Sequence, residues 1–217
     1  MIPNGIITAG LQCEQEAVLA FPEEQDFLSK LLQKARGGDN KAFEEIFHLY
    51  ERRIYNLIYQ MIGNADQAAD LTQDVFLRVL KGLKDLRVDE AFNSWIYRVA
   101  VNMCRDHIRR VRRVRIDSLD QGRSQDDEDG GTIEIPDWSG NPENLVELDE
   151  MQGAVRRAVA ALPEHYRSVV VLYHLQGKAV AEIASILGCR IGTVKSRLSR
   201  GRDELKRRLE NYVAGNL

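Results

Sequence analysis

Apolar residues along this chain recur at intervals of three and four, the spacing that is typical of amphipathic helices. Asp39 or Asn40 is placed to cap a helix that ends near Gly63, and Asn64 is placed to open the next one. Another regular helix begins near Phe92. No stretch alternates apolar and polar residues as a half-buried strand does, so the pattern predicts an all-α fold.

Each of the first four helices is predicted to bury one apolar face. Residues at i, i+3, i+4 and i+7 lie on the same side of a helix, which lets the inward positions be counted from the sequence. The positions expected inside include Phe27, Leu31 and Leu32, then Ile46, Ile54 and Ile58, then Val75, Phe76 and Leu80, and finally Phe92, Ile96, Ala100 and Val111.

An acidic stretch divides the chain. Between Asp117 and Glu150 there are twelve acidic residues and one arginine, a net charge of −11, with Gly, Ser and Pro scattered through the first half. A segment of this composition has too little apolar surface to fold and is typical of a flexible linker. Asn141 followed by Pro142 then predicts a new helix start. We therefore expect two small helical domains, with a flexible tail at 1–22, a first domain at 23–115, the acidic linker at 116–140 and a second domain at 141–211.

The second domain is predicted to contain a helix-turn-helix. Ala184, Gly188 and Val194 occupy its small, turn and apolar positions, and a glycine in the turn accepts the backbone conformation that the turn needs. In the longer second helix Val194, Leu198 and Gly201 share one face, which is expected to point inward. The remaining face is then free to meet a partner.

Basic residues concentrate on this second helix. Residues 178–208 carry nine Lys or Arg against three acids, a local charge of +6 in a chain whose net charge is −3. Backbone N–H groups of Gly192 and Thr193 at the helix start are placed to receive a phosphate. A basic helix alone is more often a solvated surface, but the turn and the small-residue positions together favour binding in the major groove of DNA.

Two further surfaces are strongly charged. Asp70, Gln73 and Asp74 gather on the exposed side of the third helix, where compensation of the helix dipole is a competing explanation for the acids. From Arg105 to Arg115 there are six arginines against one acid, at the end of the helix that starts near Phe92. Such a run is either a solvated helix end or a surface for nucleic acid.

The sequence offers little for catalysis or metal binding. Cys13, Cys104 and Cys189 are far apart, with no pair at metal-ligand spacing, and the four histidines are dispersed on helices without a partnered nucleophile. We expect no catalytic residue, no metal and no cofactor, and therefore not an enzyme. The N-terminus has neither a basic segment nor an apolar run of membrane-spanning length. A cytoplasmic protein is expected.

Laid end to end, the segments resemble a bacterial RNA polymerase sigma factor of the sigma-70 family, in its extracytoplasmic-function (ECF) group. The matching stretches are AFEEIFHLYERRIY, DLTQDVFLRVLKGL, AFNSWIYRVAVNMCRDHIRR, NPENL, ALPEHYRSVVVL and EIASILGCRIGTVKSRLSRGRDELK. They cover nearly everything from about Glu23 to Leu209 apart from the acidic linker, and only the two-domain set of the family is present.

The resemblance implies roles for named residues. It implies binding of core RNA polymerase by Asp70, Gln73 and Asp74, with Phe76 as packing. It implies binding of the melted −10 promoter element by Leu86, Arg87, Val88, Asp89, Asn102, Arg105 and Arg109. It implies binding of the duplex −35 element by Thr193, Lys195, Ser196, Arg197, Ser199 and Arg200. Factors of this group are usually held by an anti-sigma protein, so such a partner is expected, without direct membrane insertion of this chain.

A second class of function stays open at the level of sequence. A helix-turn-helix regulator that binds duplex DNA as a dimer would use the same basic helix, with the first domain as a sensor. The sequence has no apolar ligand pocket signature and no obvious dimer helix, which favours the initiation factor. Co-purification with core RNA polymerase distinguishes the two classes.

Overall fold

The protein is described by a computed structural model that covers residues 22–86, 91–120 and 153–215. Within these ranges every regular element is helical, so the all-α prediction is confirmed. The helices are α1 (Pro22–Arg36), α2 (Asn40–Ile62), α3 (Ala65–Gly82), α4 (Phe92–Asp120), α5 (153–160), α6 (Glu164–Val170), α7 (Val180–Leu187) and α8 (Ile191–Gly215). A 3₁₀ turn at Leu83–Asp85 follows α3, and a π-helical turn at Val171–Leu175 extends α6.

The predicted caps form as expected. The Asp39 carboxylate accepts hydrogen bonds from the backbone N–H groups of Lys41 and Ala42, at 2.9 and 3.3 Å. The Asn64 side chain accepts from the N–H of Gln67 at 2.9 Å. Between these two caps Gly63 adopts a left-handed φ of 81°, which ends α2 and turns the chain into α3.

The first domain packs α1 to α4 around a core in which Leu32, Ile46, Ile54 and Phe92 are fully buried. Three residues that were predicted to be buried in this core are exposed. Phe27, Leu80 and Val111 are 49%, 42% and 38% exposed. Each lies at the edge of its apolar stripe, and the neighbouring helices cover less of each helix than the stripe is wide.

Helix α4 is buried on two sides, one of which the sequence pattern does not predict. Tyr97, Val101 and Cys104 are at most 3% exposed, although they lie outside the apolar stripe counted from the sequence. The second domain packs against this side: the ammonium of Lys178 lies 4.5 Å from the centre of the Tyr97 ring. Burial raises the pKa of Tyr97 to about 12 and that of the Cys104 thiol to about 12.

The helix-turn-helix has the predicted geometry. Gly188 between α7 and α8 has a left-handed φ of 61°, and Val194 and Leu198 are buried. Gly201 lies where α8 crosses α6, so that a Cβ atom there would be 2.8 Å from Cγ2 of Val170 and 3.4 Å from Cβ of Tyr166. A side chain at this position would push the two helices apart.

Two helices run past the residues at which the predicted domains end. Helix α4 continues to Asp120, past residue 115, and α8 continues to Gly215, past residue 211. Residues 1–21 of the predicted tail, the rest of the acidic linker and the helix start predicted at Asn141 lie outside the described residues, whereas Pro22 is the first residue of α1.

The two domains contact one another directly. The buried guanidinium of Arg167 on α6 donates to the backbone carbonyl of Met61 at the end of α2, at 2.8 Å. The side-chain amide of Gln176 donates to that of Gln60 at 2.9 Å. Buried apolar residues of both domains also belong to one continuous core.

Candidate nucleic-acid interface

The outward face of α8 is exposed and carries unpaired positive charge. Lys195, Ser196, Ser199 and Arg200 are all exposed, whereas Val194 on the opposite side is fully buried. Within the described part of the chain neither Lys195 nor Arg200 has an ion-pair partner. The cations further along α8 are different, because Arg207 and Arg208 both pair with Glu204 and Lys206 pairs with Glu210. The cations without an acidic partner therefore lie in the first half of the helix.

The backbone at the start of α8 is partly engaged. The N–H of Thr193 donates to the carbonyl of Arg190 at 2.9 Å, so it is not free to receive a phosphate. The hydroxyl of Ser196 donates to the carbonyl of Thr193 at 3.0 Å and keeps its acceptor lone pairs. Of the two predicted phosphate-binding amides, that of Gly192 alone has no backbone partner among the described residues.

Arg197 belongs to a different surface from its neighbours. Its side chain is half-buried, and its charge lies close enough to Arg105 on α4 to contribute to the lowered pKa of that guanidinium. Burial is the larger cause of the lowered pKa of Arg105, and Glu164 opposes it. The structure therefore separates Arg197 from the exposed face of α8 and turns it toward the first domain.

A polar stripe runs along α4 toward the second domain. Its members are Arg98, Asn102, Arg105 and Arg109, at i, i+4, i+7 and i+11. Arg109 donates to both carboxylate oxygens of Glu164, at 3.3 and 3.1 Å. Nε of Arg105 lies 3.4 Å from the same carboxylate. Two of the residues predicted to bind the −10 element thus share one acidic partner.

Arg98 at the other end of the stripe is absent from the predicted set. Its guanidinium donates to the carbonyls of Ser185 and Ile186, with 3.2 Å to the latter, at the carboxyl end of α7. Its position one helical turn before Asn102 places it on the same face of α4, and this spacing could have added it to the predicted set. Its partners lie more than 80 residues away and could not be read locally.

Of the residues predicted for the −10 element that precede α4, the structure describes Leu86. Leu86 is half-buried and follows the 3₁₀ turn, whereas Arg87, Val88 and Asp89 lie outside the described residues. The Trp95 ring packs directly against Gly82, next to this turn. A Cβ atom at residue 82 would lie 2.9 Å from the ring, so a larger residue would not fit there. The turn is thereby held against the first two turns of α4.

Helix α3 presents a separate surface. Asp70, Gln73 and Asp74 are exposed, and within the described residues neither carboxylate has an ion-pair partner. Phe76 is buried, with its ring 4.6 Å from that of Phe47, as its packing role implies. Leu77 beside these acids is 55% exposed, which the sequence reasoning missed. The surface combines free carboxylates with an uncovered apolar side chain.

The described residues contain no cluster of His, Cys, Asp and Glu that could hold a metal ion. Among the same residues, no helix has the length and apolar character needed to cross a membrane.

Both domains match known family models. The family model for Sigma-70 region 2 matches residues 46–114, and that for Sigma-70 region 4 matches residues 152–205. The chain is 30% identical over 190 residues to the ECF RNA polymerase sigma factor SigW of Bacillus subtilis, covering 85% of this chain and 97% of the relative. This chain belongs to the ECF group of sigma-70 factors.

A second relative agrees with the first. The sigma factor is 32% identical over 185 residues to the ECF RNA polymerase sigma-E factor of Escherichia coli, covering 84% of this chain and 94% of that protein. Membership of the family defines the activity: the protein is a sigma factor of promoter-specific transcription initiation.

Solved structures share the fold. CnrH in complex with the cytosolic domain of CnrY has a TM-score of 0.59 at 21% identity, covering 85% of this chain and 97% of CnrH. The sigma factor RpoE of Bartonella quintana, in complex with the anti-sigma factor NepR, has a TM-score of 0.60 at 21% identity, covering 78% and 98%.

Proposed function

We propose that this sigma factor divides promoter recognition between its two domains. The second domain, residues 141–211, reads the duplex −35 element with the exposed face of α8. The first domain, residues 23–115, binds core RNA polymerase with α3 and the melted −10 element with α4. The observation that carries the proposal is the pair of unpaired cations, Lys195 and Arg200, on an exposed helix face whose other side is buried.

The major groove accepts an α-helix, and each base pair presents a distinct pattern of donors and acceptors there. Lys195 and Arg200 supply cationic donors, with Arg200 able to make a bidentate contact to a guanine. Ser196 and Ser199 supply hydroxyls that suit several bases. Gly192 and Thr193 lie at the edge of this face, near the DNA backbone, and Arg197 flanks it on the side of the first domain.

Replacing Arg200 tests the reading face. We expect Arg200→Ala to weaken binding of the −35 duplex by about 1–3 kcal/mol, or roughly 5- to 150-fold, with relaxed preference at one base pair. The measurement is fluorescence anisotropy of the holoenzyme on a set of single-base promoter variants. A pure phosphate contact would cost less and equally on all sequences.

The matched control is Arg207→Ala. Arg207 lies on the same helix and carries the same charge, but it pairs with Glu204. It should leave base preference unchanged. If Arg200→Ala and Lys195→Ala both leave promoter selection unchanged, α8 does not read the −35 element through this face.

Core polymerase is proposed to bind the α3 surface. Charge reversal in Asp74→Lys should weaken co-purification with core RNA polymerase at least tenfold. The substitution replaces a free carboxylate by a positive charge, which repels a basic partner surface. Binding of the −35 duplex should not change, because α3 lies in the other domain. The measurement is pull-down of core enzyme at moderate salt.

Glu45→Lys is the control for this experiment, since Glu45 is an exposed carboxylate on α2 outside the proposed surface. Retention of wild-type core binding by Asp74→Lys would show that α3 is not the docking surface. Loss of binding in both variants would point to a general effect of charge. Failure of the unaltered chain to bind core would favour a stand-alone DNA-binding regulator.

Bases of the −10 element are proposed to be held beside the start of α4. Leu86 to Asp89 and Asn102 are proposed to contact the bases, and Arg105 and Arg109 are proposed to hold backbone phosphates. Arginine suits this task because its planar guanidinium matches the geometry of phosphate and carboxylate groups. In this structure the same arginines hold the carboxylate of Glu164.

An anti-sigma factor is proposed as a further partner. RpoE of Bartonella quintana is described in complex with one, and CnrH is described with the cytosolic domain of CnrY. We further infer that the sigma factor acts by binding and performs no catalysis of its own. Because its proposed partners are core polymerase and chromosomal DNA, we place its action in the cytoplasm.

A further inference from the structure

We propose that Arg202 forms a phosphate-binding site at the edge of the exposed face of α8, where His174 and Tyr173 hold its guanidinium ready for the DNA backbone. The ligand is one phosphodiester group of the duplex beside the −35 element. The inference rests on the proposed function, because it takes this face of α8 as the side that meets the −35 element. It adds a contact that fixes the position of the helix on the duplex and reads no base.

The position of Arg202 on α8 suits a backbone contact. Arg202 follows Lys195 by seven residues and Ser199 by three, so these side chains share one side of the helix. Arg197 lies at the opposite edge of the exposed face, toward the first domain. When a helix enters the major groove, its central residues meet base edges, and residues at its margins meet the phosphates that fix its register. Arg202 occupies such a margin.

Two side chains of the π-helical turn hold the Arg202 guanidinium. Its Nε donates to Nε2 of His174 at 3.1 Å, and its Cζ lies 5.3 Å from the centre of the Tyr173 ring. The His174 ring stands edge-on to the Tyr173 ring, with the two centres 4.9 Å apart. Because Nε2 of His174 accepts a hydrogen bond, this imidazole is neutral. Burial first and the charge of Arg202 second lower the pKa of His174, which agrees with the neutral form.

The other donors of Arg202 are free. Arg202 is exposed, and among the described residues no carboxylate pairs with it and no acceptor engages its two terminal nitrogens. Arg207 and Arg208, further along the same helix, differ because both pair with Glu204. A guanidinium that is held through Nε keeps two parallel terminal N–H groups, which match two oxygens of a phosphate.

The neutral partners distinguish this site from a structural ion pair. A carboxylate beside Arg202 would offset its charge and compete with a phosphate for the same donors. The imidazole and the phenol ring orient the guanidinium and leave its full positive charge. A side chain that is already ordered also loses less conformational entropy when it binds. The arrangement is therefore preorganised for an anion.

The first test scans the promoter backbone with single uncharged methylphosphonates. The probe is a labelled promoter duplex in which one phosphate at a time is neutralised across the −35 element and its flanks. Fluorescence anisotropy measures its binding to the holoenzyme. We expect one phosphate whose neutralisation weakens the unaltered holoenzyme about three- to tenfold but does not weaken the Arg202→Ala holoenzyme further. If every neutralised phosphate affects the two proteins equally, Arg202 contacts no phosphate and the site is wrong.

Salt dependence tests the class of contact. We expect Arg202→Ala to weaken binding about three- to tenfold, equally on all single-base variants of the −35 element. The slope of log affinity against log salt should fall by about 0.9, the value for one phosphate. Arg207→Ala is the control, because it removes a paired charge from the same helix and should leave the slope unchanged. A loss that depends on the identity of one base pair would mean a base contact and would overturn the proposal.

Variants of His174 test its role as a positioning residue. His174→Ala removes the acceptor of the Arg202 Nε–H and should weaken binding about two- to fivefold. His174→Gln supplies an amide oxygen to the same donor and should restore most of the affinity. Circular dichroism checks that each variant is folded. Wild-type affinity in His174→Ala, or a loss that His174→Gln does not restore, would contradict the positioning role.

Base preference separates failure of this site from failure of the proposed function. If Arg200→Ala alters base preference while Arg202→Ala leaves affinity and salt slope unchanged, the phosphate site is wrong and the proposed function stands. If the holoenzyme binds a promoter with a scrambled −35 element as tightly as the intact one, the proposed function itself is wrong.

Discussion

Permanganate is expected to modify thymines of the −10 element only when core polymerase and this sigma factor are both present. Separating about five base-pair steps costs roughly 7 kcal/mol at about 1.4 kcal/mol per step. Capture of one or two unstacked bases by the residues proposed for the −10 element, which include Leu86 and Asn102, would return about 1–3 kcal/mol per base. The free energy that the sigma factor alone gains from base capture is therefore smaller than the cost of separating the strands.

The arginines of α4 do not close this gap. The phosphate contacts proposed for Arg105 and Arg109 would form with closed duplex as well as with the open strand, so they would discriminate poorly in favour of melting. In the isolated chain both are also engaged by Glu164. The remaining free energy must come from core polymerase enclosing the strands.

A promoter fragment with a scrambled −10 element serves as the control for the footprint. It should stay unreactive in every combination of proteins. Reactive thymines with the purified sigma factor alone would contradict the division of labour argued above. Reactivity with core enzyme alone would mean that another sigma factor contaminates the preparation.

Phe92→Ala is expected to lower the free energy of unfolding by about 3–5 kcal/mol. The ring is fully buried at the start of α4, with its centre 5.3 Å from that of Tyr50 and 6.0 Å from that of Trp95. Its removal leaves a cavity between the start of α4 and Tyr50 on α2. Urea unfolding followed by circular dichroism measures the change.

Phe27→Ala is the matched control, because its ring is 49% exposed on α1. It should change stability by less than about 0.5 kcal/mol. Equal losses in the two variants would mean that burial of Phe92 does not stabilise the first domain.

Features set by near neighbours were predictable from the sequence. Asp39 and Asn64 cap helices through residues two or three positions away, and Gly188 turns the chain by its own backbone freedom. The outward face of α8 follows from its inward stripe by helical geometry alone. For the same reason Lys195 and Arg200 could be placed on the exposed side in advance.

Contacts between the domains were not predictable in this way. Arg98 meets Ser185 across 87 positions, and Arg109 meets Glu164 across 55. The local sequence pattern does not indicate such pairs, because an arginine on a polar helix face gives the same pattern whether it is solvated or hydrogen-bonded to a distant residue. The second buried side of α4, with Tyr97 and Cys104, escaped prediction for the same physical reason.

The close crossing at Gly201 has a consequence for redesign of promoter choice. Val170 and Tyr166 leave no room for a Cβ atom there, so the position of α8 against α6 is set by a buried residue outside the proposed reading face. An engineer who transplants reading residues from a relative can exchange exposed positions freely while this glycine is retained. If α8 reads the −35 element as proposed, a graft that places alanine or a larger residue at 201 would shift the whole helix and change base preference at several base pairs together.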